Sequence, residues 1–366
     1  MIEFVNTVDN TGSMGNMNFR SIVEKAILAP SADNLQPWLF KLNANQIDFF
    51  LDPDRIKNFC DEGCLVPYLS AGAAIENMRV AAAQFGYQFS TTYFPYSKNE
   101  MHVASIQFAE TTPKNHPHFQ TLGTRGTNRK FYRRNQIVTP ETYSRLSQMV
   151  KDTGFDLRWI KNENGSYKKL AQILGEADQL RYEIERLHKE LMEIIHFSNA
   201  GSKIKDGLDI QTLEAGFGGT FLLKLIRSWN VQKILNLIGV SRLFNIYTQL
   251  QMDSSQAAGF LVSETNQKMD YVRGGEIMEQ LWHEITLLGL SIQPLEALPI
   301  FILNLNLTGG KNLNPKQKNK LYQLKSELYR LFNVNDQNGL LLLFRMGYAP
   351  PPSAKSSRRP VDDFLI

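Results

Sequence analysis

The sequence is poor in residues that carry covalent or metal chemistry. It holds two cysteines, Cys60 and Cys64, too few for a disulfide framework, and no second Cys/His pair at metal spacing accompanies them. They read as reduced thiols of a cytoplasmic protein. The six histidines are scattered, with His116 and His118 in a proline-rich loop, so no metal site is expected. Neither sign of charge is in excess: a net charge of +4 over 366 residues gives no ground for a nucleic-acid partner. The amino terminus, MIEFVNTVDNTGSMGNMNF, lacks an apolar signal-peptide core. The apolar stretch 221–250 is interrupted by Lys224, Arg227, Lys233 and Arg242, which argue against a membrane span. What is present is a hydrophobic content of 43% and an ordinary charged fraction of 21%. Such a chain buries a large core, in one big domain or two.

One stretch organises the rest: AILAPSADNLQPWLF, residues 26–40. An apolar helical run over 20–29 stops at Ala29-Pro30, because proline lacks an N–H and biases its predecessor away from helical geometry. Small polar residues, Ser31 to Asn34, then lead into an apolar strand at Trp38. That leaves hydroxyl, amide and backbone groups at a helix-to-strand junction where a ligand can approach. Taken alone, the stretch reads first as a satisfied helix terminus.

Further along, 38–43 and 46–52 read as a hairpin, and Pro67 opens a helix that ends near Gly86. Strand-like segments at 88–94 and 102–109 close a first half. The second half opens on Arg125-Gly126-Thr127-Asn128-Arg129, followed by a helix from Thr139-Pro140. A strand is expected at 155–160, a long charge-laced helix at 170–195, and an apolar helical cap at 221–250. A buried strand at 257–263, helices at 274–290 and 315–332, and a strand at 340–345 follow. AGAAIENMRVAAAQFGY (71–87) aligns without a gap on GGEIMEQLWHEITLLGL (274–290), pairing Gly72 with Gly275, Glu76 with Glu279 and Gly86 with Gly289. These three identities fall at equivalent places in two helix–strand successions, so an internal duplication is expected.

APSADNLQPW, RGTNR, QPLEALP and the closing RMGY…SSRRP together resemble the motifs of the nitroreductase family. The resemblance covers nearly the whole chain except about 160–250. It implies an α+β fold of two tandem nitroreductase-like lobes, each a mainly antiparallel sheet packed with helices, forming an internal pseudo-dimer. The expected lobes are residues 1–110 and 111–366, the second carrying a helical cap insertion at about 160–250. The first half has no counterpart of QPLEALP or SSRRP. The second has no counterpart of APSADN. The halves therefore complement each other, and one FMN per chain is expected.

The resemblance also implies roles. Pro30, Ser31 and Asn34 meet the flavin from one lobe. Arg125, Gly126, Thr127 and Arg358 hold its phosphate, where arginine offers a fixed fork of donors. Arg129 sits by the N1–C2=O edge and tunes the flavin. Pro294, Leu295, Glu296 and Ala297 run past the ring, with N–H groups at Glu296 or Ala297 facing N5 and O4. Ala297 stands where the family usually has glycine, which matters only if φ must be positive. No side chain is an obligatory acid, base or nucleophile. The implied reaction passes hydride from NAD(P)H through FMN N5 to a nitroaromatic, quinone or similar small-molecule acceptor. A competing reading is a flavin-storage protein whose 221–250 cap blocks turnover. A third is a membrane-surface module using the basic segment 221–250, although no membrane partner is the expectation. The protein is expected to be a monomeric pseudo-dimer or a homodimer.

Overall fold

The computed structural model describes residues 11–56, 65–197 and 205–366. Cys60 and Cys64 lie outside them. The first half opens with α1 (Thr11–Ala26), then a 3-10 turn at Ala32–Asn34, then the hairpin β1 (Trp38–Leu42) and β2 (Gln46–Leu51). A short α2 (Pro53–Ile56) precedes α3 (Val66–Gln84), β3 (Tyr87–Tyr93) and β4 (His102–Glu110). The four strands form one antiparallel sheet in the order β1-β2-β4-β3.

The second half begins with α4 (Pro140–Val150) and β5 (Phe155–Lys161). An insertion follows: α5 (Gly165–Glu183), α6 (Glu185–Ile194), the two-residue strands β6 (Ile195–His196) and β7 (Leu208–Asp209), then α7 (Gly216–Leu225), α8 (Trp229–Leu237) and α9 (Ser241–Asp253). The chain continues through β8 (Ala257–Ser263), α10 (Lys268–Leu287), β9 (Ser291–Pro294), α11 (Ala297–Thr308), α12 (Pro315–Phe332) and β10 (Gly339–Gly347). A second antiparallel sheet has the order β5-β8-β10-β9. The molecule is thus α+β with two antiparallel four-stranded sheets, each carrying helices.

Several expectations change. The helix expected over 20–29 is α1 (Thr11–Ala26), which starts earlier and stops short of Ala29-Pro30, and α11 falls where no element was expected. The helical pattern at 170–195 is two helices, broken at Ile184, whose backbone is extended (φ −102°, ψ 116°). The 221–250 segment is parts of three helices, parted at Ser228 and at Gly239, which takes a left-handed φ of +83°.

The halves meet along α3 and α10. A Cβ at Gly72 would lie 1.8 Å from the Val272 carbonyl oxygen, and a Cβ at Gly275 would lie 2.1 Å from the Leu69 carbonyl oxygen. Leu69 stands to Gly72 as Val272 stands to Gly275. The contact is therefore reciprocal, as about a two-fold axis. Both glycines are required because each backbone fills the space where the other's side chain would go. Each helix also ends alike, with Gly86 (φ +82°) and Gly289 (φ +70°) in the left-handed conformation after the last turn.

The carboxyl-terminal segment leaves the second sheet and crosses to the first. Ile366 N–H bonds the Phe40 carbonyl at 3.0 Å, and Leu365 bridges Phe40 in parallel. Arg20 Nη1 donates to Asp362 Oδ1 at 2.6 Å. The tail covers the β1 edge, which would otherwise present unpaired backbone groups.

Candidate functional site

The turn after α1 is held in unusual geometry. Asp33 (φ 49°), Asn34 (φ 58°) and Gln36 (φ 53°) are all left-handed. Asp and Asn tolerate this region through local hydrogen bonding, whereas Gln36 takes it against its intrinsic preference. The surroundings compensate. Gln36 N–H bonds Ser31 Oγ at 3.0 Å, Gln36 Nε2 donates to the Lys205 carbonyl at 2.7 Å, and Gln36 Oε1 accepts from Arg359 N–H at 2.9 Å. Asn34 Nδ2 donates to the carbonyls of Gly207 and Ser357 at 3.1 and 3.0 Å.

Beneath the turn lies a buried polar knot. Arg125 Nε lies 2.9 Å from Glu279 Oε1, and Arg125 Nη2 donates to the Leu28 carbonyl at 2.6 Å. Its guanidinium covers the Trp282 ring at 4.8 Å. Arg358 donates to the carbonyls of Ile27, Leu28 and Ala29 at 2.9 to 3.1 Å and to Asn34 Oδ1 at 2.8 Å. Burial lowers the Arg358 pKa to about 9. Asn77 turns its amide nitrogen to Glu279 Oε1 (3.1 Å) and His283 Nε2 (2.9 Å). Thr121 donates its hydroxyl to the His118 carbonyl at 2.7 Å, so its oxygen accepts from His283 Nδ1 at 2.8 Å. His283 is accordingly neutral, and burial depresses its pKa to about 2. These groups clamp the end of α1 and the carboxyl-terminal tail onto α10.

Next to the knot is a cavity of about 600 Å³. That is the size of a cofactor site. Three separate segments line it: Pro30, Ser31 and Asp33 from the turn, Thr127 and Arg129 from the loop, and Pro294 to Ala297 from the β9–α11 junction. The RGTNR loop is fixed by Asn128, whose N–H bonds the Ile292 carbonyl at 2.9 Å and whose Nδ2 reaches the Pro350 carbonyl at 2.8 Å. Arg129 Nη1 donates to the Thr212 carbonyl at 3.0 Å. The wall facing the turn comes from α5 and α6: Leu174, Asp178, Arg181, Ile184, Leu187 and Leu191. From 221–250 only Thr248 lines it, so the enclosing wall comes from the first part of the 160–250 insertion and not from its apolar 221–250 segment.

Charges of both signs converge there. Burial raises the Asp33 pKa, opposed by Arg181 and Arg129. Burial lowers that of Arg129, opposed by Asp33. Asp178 is also raised by burial, against a hydrogen bond from Thr248 and the charge of Arg181. Glu296 is pushed up to about 8 by burial, against the bond its Oε1 accepts from the Leu343 N–H at 2.8 Å. Ala297 begins α11 and is not among the positive-φ residues, so no glycine is needed.

The structure therefore brings Pro30, Ser31, Thr127, Arg129, Pro294, Leu295, Glu296 and Ala297 to one cavity. It does not bring Asn34, Arg125, Gly126 or Arg358 to its lining. The donors of Arg125 and Arg358 are turned to Glu279 and to backbone carbonyls instead of an open phosphate site. Two further residues carry the site without having been singled out in the sequence. Arg181 brings a guanidinium into the cavity from the insertion. Arg345, fully buried in β10, donates to the cavity residue Gln293 at 2.7 Å and to the Lys130 carbonyl at 2.7 Å. An arginine inside the apolar run LLLLFRMG was its signal, since a buried cation needs partners.

No family model matches the chain. An uncharacterized protein of Mycobacterium tuberculosis, MT1398, is 26% identical over 339 residues, 92% of this chain and 47% of that protein. "Putative NAD(P)H nitroreductase acg" of the same organism is 34% identical over 90 residues, 25% of this chain and 27% of that protein. "Putative NAD(P)H nitroreductase MT3217", also from M. tuberculosis, is 31% identical over 94 residues, 26% of this chain and 27% of that protein. The chain spans about half the length of the first and about a quarter of the others. Among solved structures, the FMN-dependent nitroreductase NfnB of Mycobacterium smegmatis, in complex with NADPH, aligns with a TM-score of 0.37 at 12% identity, covering 67% of this chain and 96% of that one. A nitroreductase-like family protein of Bacillus cereus aligns with a TM-score of 0.34 at 12% identity, covering 70% and 96%.

Proposed function

We propose that this nitroreductase-like chain is an FMN-dependent oxidoreductase that draws electrons from NAD(P)H and passes them to a nitroaromatic, quinone or similar small acceptor. The observation that carries the reading is the convergence of residues 30–33, 127–129 and 294–297 on one cavity of about 600 Å³. The donor set fits the cofactor. The Ser31 and Thr127 hydroxyls and the Arg129 and Arg181 guanidinium groups suit a phosphorylated, polyhydroxylated chain. Leu174, Ile184, Leu187 and Leu295 suit a flat apolar ring system. When bound, FMN supplies the two-electron chemistry. Arg129 would stabilise negative charge on the cofactor, and its desolvation strengthens that interaction. The α5–α6 wall would exclude water. No acid or base of the chain is assigned a proton transfer.

Further parts of this reading concern organisation. The two halves are taken as duplicated lobes, 1–110 and 111–366, with one competent site per chain. The protein is placed in the cytoplasm, as a pseudo-dimeric monomer or a homodimer. The enclosure of the cavity by α5 and α6, and the bond from Arg129 to Thr212, favour storage as the second reading.

The experiment is reconstitution with FMN followed by anaerobic NADPH and NADH. One equivalent per chain, bleached by a nicotinamide, supports the oxidoreductase. Bound flavin bleached by dithionite but by neither nicotinamide supports storage. Two equivalents, or none, overturns the single-site reading.

A further inference from the structure

The insertion wears its polarity inside out. On α8 and α9 several uncharged polar side chains turn inward onto α5. Gln232 Nε2 and Asn236 Nδ2 donate to the Tyr182 carbonyl at 3.2 and 2.9 Å. Ser241 donates to Glu183 at 2.9 Å, Asn245 to Gln179 at 3.0 Å, and Thr248 bonds Asp178. The large apolar side chains turn outward. On α7 the exposed residues are Phe217, Phe221 and Leu225, four apart and hence on one stripe. On and just after α8 they are Ile234, Leu237 and Ile238, and on α9 Leu243, Ile246 and Leu250. Phe217 is 94%, Leu237 85% and Ile238 78% exposed. Of the fifteen exposed large hydrophobic residues among the described residues, nine lie in this segment, so the exposure is concentrated and not scattered.

The charge pattern selects the occupant. From 215 to 252 the sequence has no Asp or Glu, and it has four cations, Lys224, Arg227, Lys233 and Arg242, all exposed. A second copy of this face would set those cations against their own images. An acidic surface with an apolar interior meets both features.

We propose that the outer face of α7, α8 and α9 docks on the surface of an anionic lipid bilayer, its apolar stripes in the headgroup–acyl boundary and its four cations on lipid phosphates. Such binding combines buried apolar area with attraction to anionic headgroups. No described helix is long and apolar enough to cross a membrane. The inward hydrogen bonds to α5 hold α8 and α9, and the buried Leu223 and Ile226 hold α7, on the body of the protein while their outer face contacts lipid.

The test is co-sedimentation of the full chain with vesicles of phosphatidylcholine alone and of phosphatidylcholine mixed with phosphatidylglycerol. Binding to the mixed vesicles, weakened by salt, is expected. The variant Lys224→Gln/Arg227→Gln/Lys233→Gln/Arg242→Gln should lose about 100-fold or more in affinity. The variant Phe221→Ser/Leu237→Ser/Ile238→Ser should also lose binding, with circular dichroism unchanged because these side chains are exposed. Three outcomes overturn the proposal: no binding to mixed vesicles, equal binding to both vesicle types, or a dimer that the second variant dissociates.

Discussion

Glu76 on α3 and Glu279 on α10 occupy equivalent positions across the axis between the halves, and both carboxyl groups are pushed up to about 7 by burial. Each is approached by an amide from the opposite helix, Gln280 on Glu76 and Asn77 on Glu279. There the likeness ends. The partner of Glu76 is Arg79, one turn along the same helix, which also reaches Glu276 at 2.7 Å. The partner of Glu279 is Arg125, brought from a distant loop. Arg79 is 38% exposed, while Arg125 is 4% exposed. On the first side a local ion pair closes the surface. On the second, the same buried carboxylate gathers a loop, the end of α1 and the carboxyl-terminal tail, and the cavity forms beside that assembly. The two sides of one reciprocal helix contact thus differ in where each buried carboxylate finds its cation, in its own helix on one side and in a distant loop on the other.

The most severe way to break the comparison is at the axis. Gly72→Leu and Gly275→Leu should each destabilise by more than about 3 kcal/mol or prevent folding, since the new side chain meets backbone that cannot yield. Urea unfolding reads the loss. Tolerance of one and not the other would end the idea of a reciprocal contact. As a control, Gly218→Ala should leave stability unchanged or raise it by about 0.5–1 kcal/mol, since a Cβ there meets nothing within 4 Å.

The ion pairs come next. Arg125→Met should cost about 3–5 kcal/mol, because it strands a buried carboxylate. Arg79→Met should cost about 1 kcal/mol, since water reaches that side. Because Arg125 faces Glu279 and Leu28 and not the cavity, its loss should weaken FMN and riboflavin binding alike. Arg129→Met, at the cavity, should weaken flavin binding by about 1.5–3 kcal/mol with little loss of stability. Fluorescence titration of both ligands against both variants separates these cases.

Protonation supplies a further effect. Glu296 has no cation partner among the contacts of its carboxylate, and its folded pKa of about 8 exceeds the ordinary 4.5. The folded state therefore keeps a proton that the unfolded chain has released. Its contribution is fully present below pH 4.5 and is lost as pH rises through 8. Stability should fall by about 3 to 4 kcal/mol between pH 5 and pH 8, and Glu296→Gln should flatten that slope. A slope of the opposite sign would mean that Glu296 is ionised in the fold. Glu76 and Glu279 add to the same trend over 4.5 to 7.

The smallest change sharpens the first side. Tyr93 donates its hydroxyl to Glu276. Tyr93→Phe should cost about 0.5–1.5 kcal/mol in thermal unfolding and leave flavin binding unchanged. A change in flavin affinity would show that the two sides are coupled.

Part of the cavity was legible from the backbone, since Pro30 after an apolar run and the Ser-Ala-Asp-Asn turn mark a helix-to-strand junction, and part only through the resemblance, which pointed to Thr127, Arg129 and Pro294–Ala297; both parts line the cavity. The alignment of Gly72 with Gly275 was legible in the sequence, but their face-to-face backbone contact was not. Side-chain direction was not legible. Arg125 and Arg129 are four residues apart in one loop, yet Arg125 turns to Glu279 and Arg129 to the cavity. The 160–250 insertion was legible as a cap, but not that its α5 and α6, with Arg181 and Asp178, and not its 221–250 part, wall the cavity.

By itself the sequence determined most of the helices and strands, which follow from local dihedral preference and apolar periodicity, and the order of the motifs, but not α11 or the breaks at Ile184, Ser228 and Gly239. Tertiary structure decided which arginine serves the turn and which faces the cavity, because a buried guanidinium goes where a carboxylate or carbonyl can compensate its lost hydration. It also decided which face of the 215–252 helices is polar inward, because that depends on the carbonyls and carboxylates of α5, distant in sequence and adjacent only after folding.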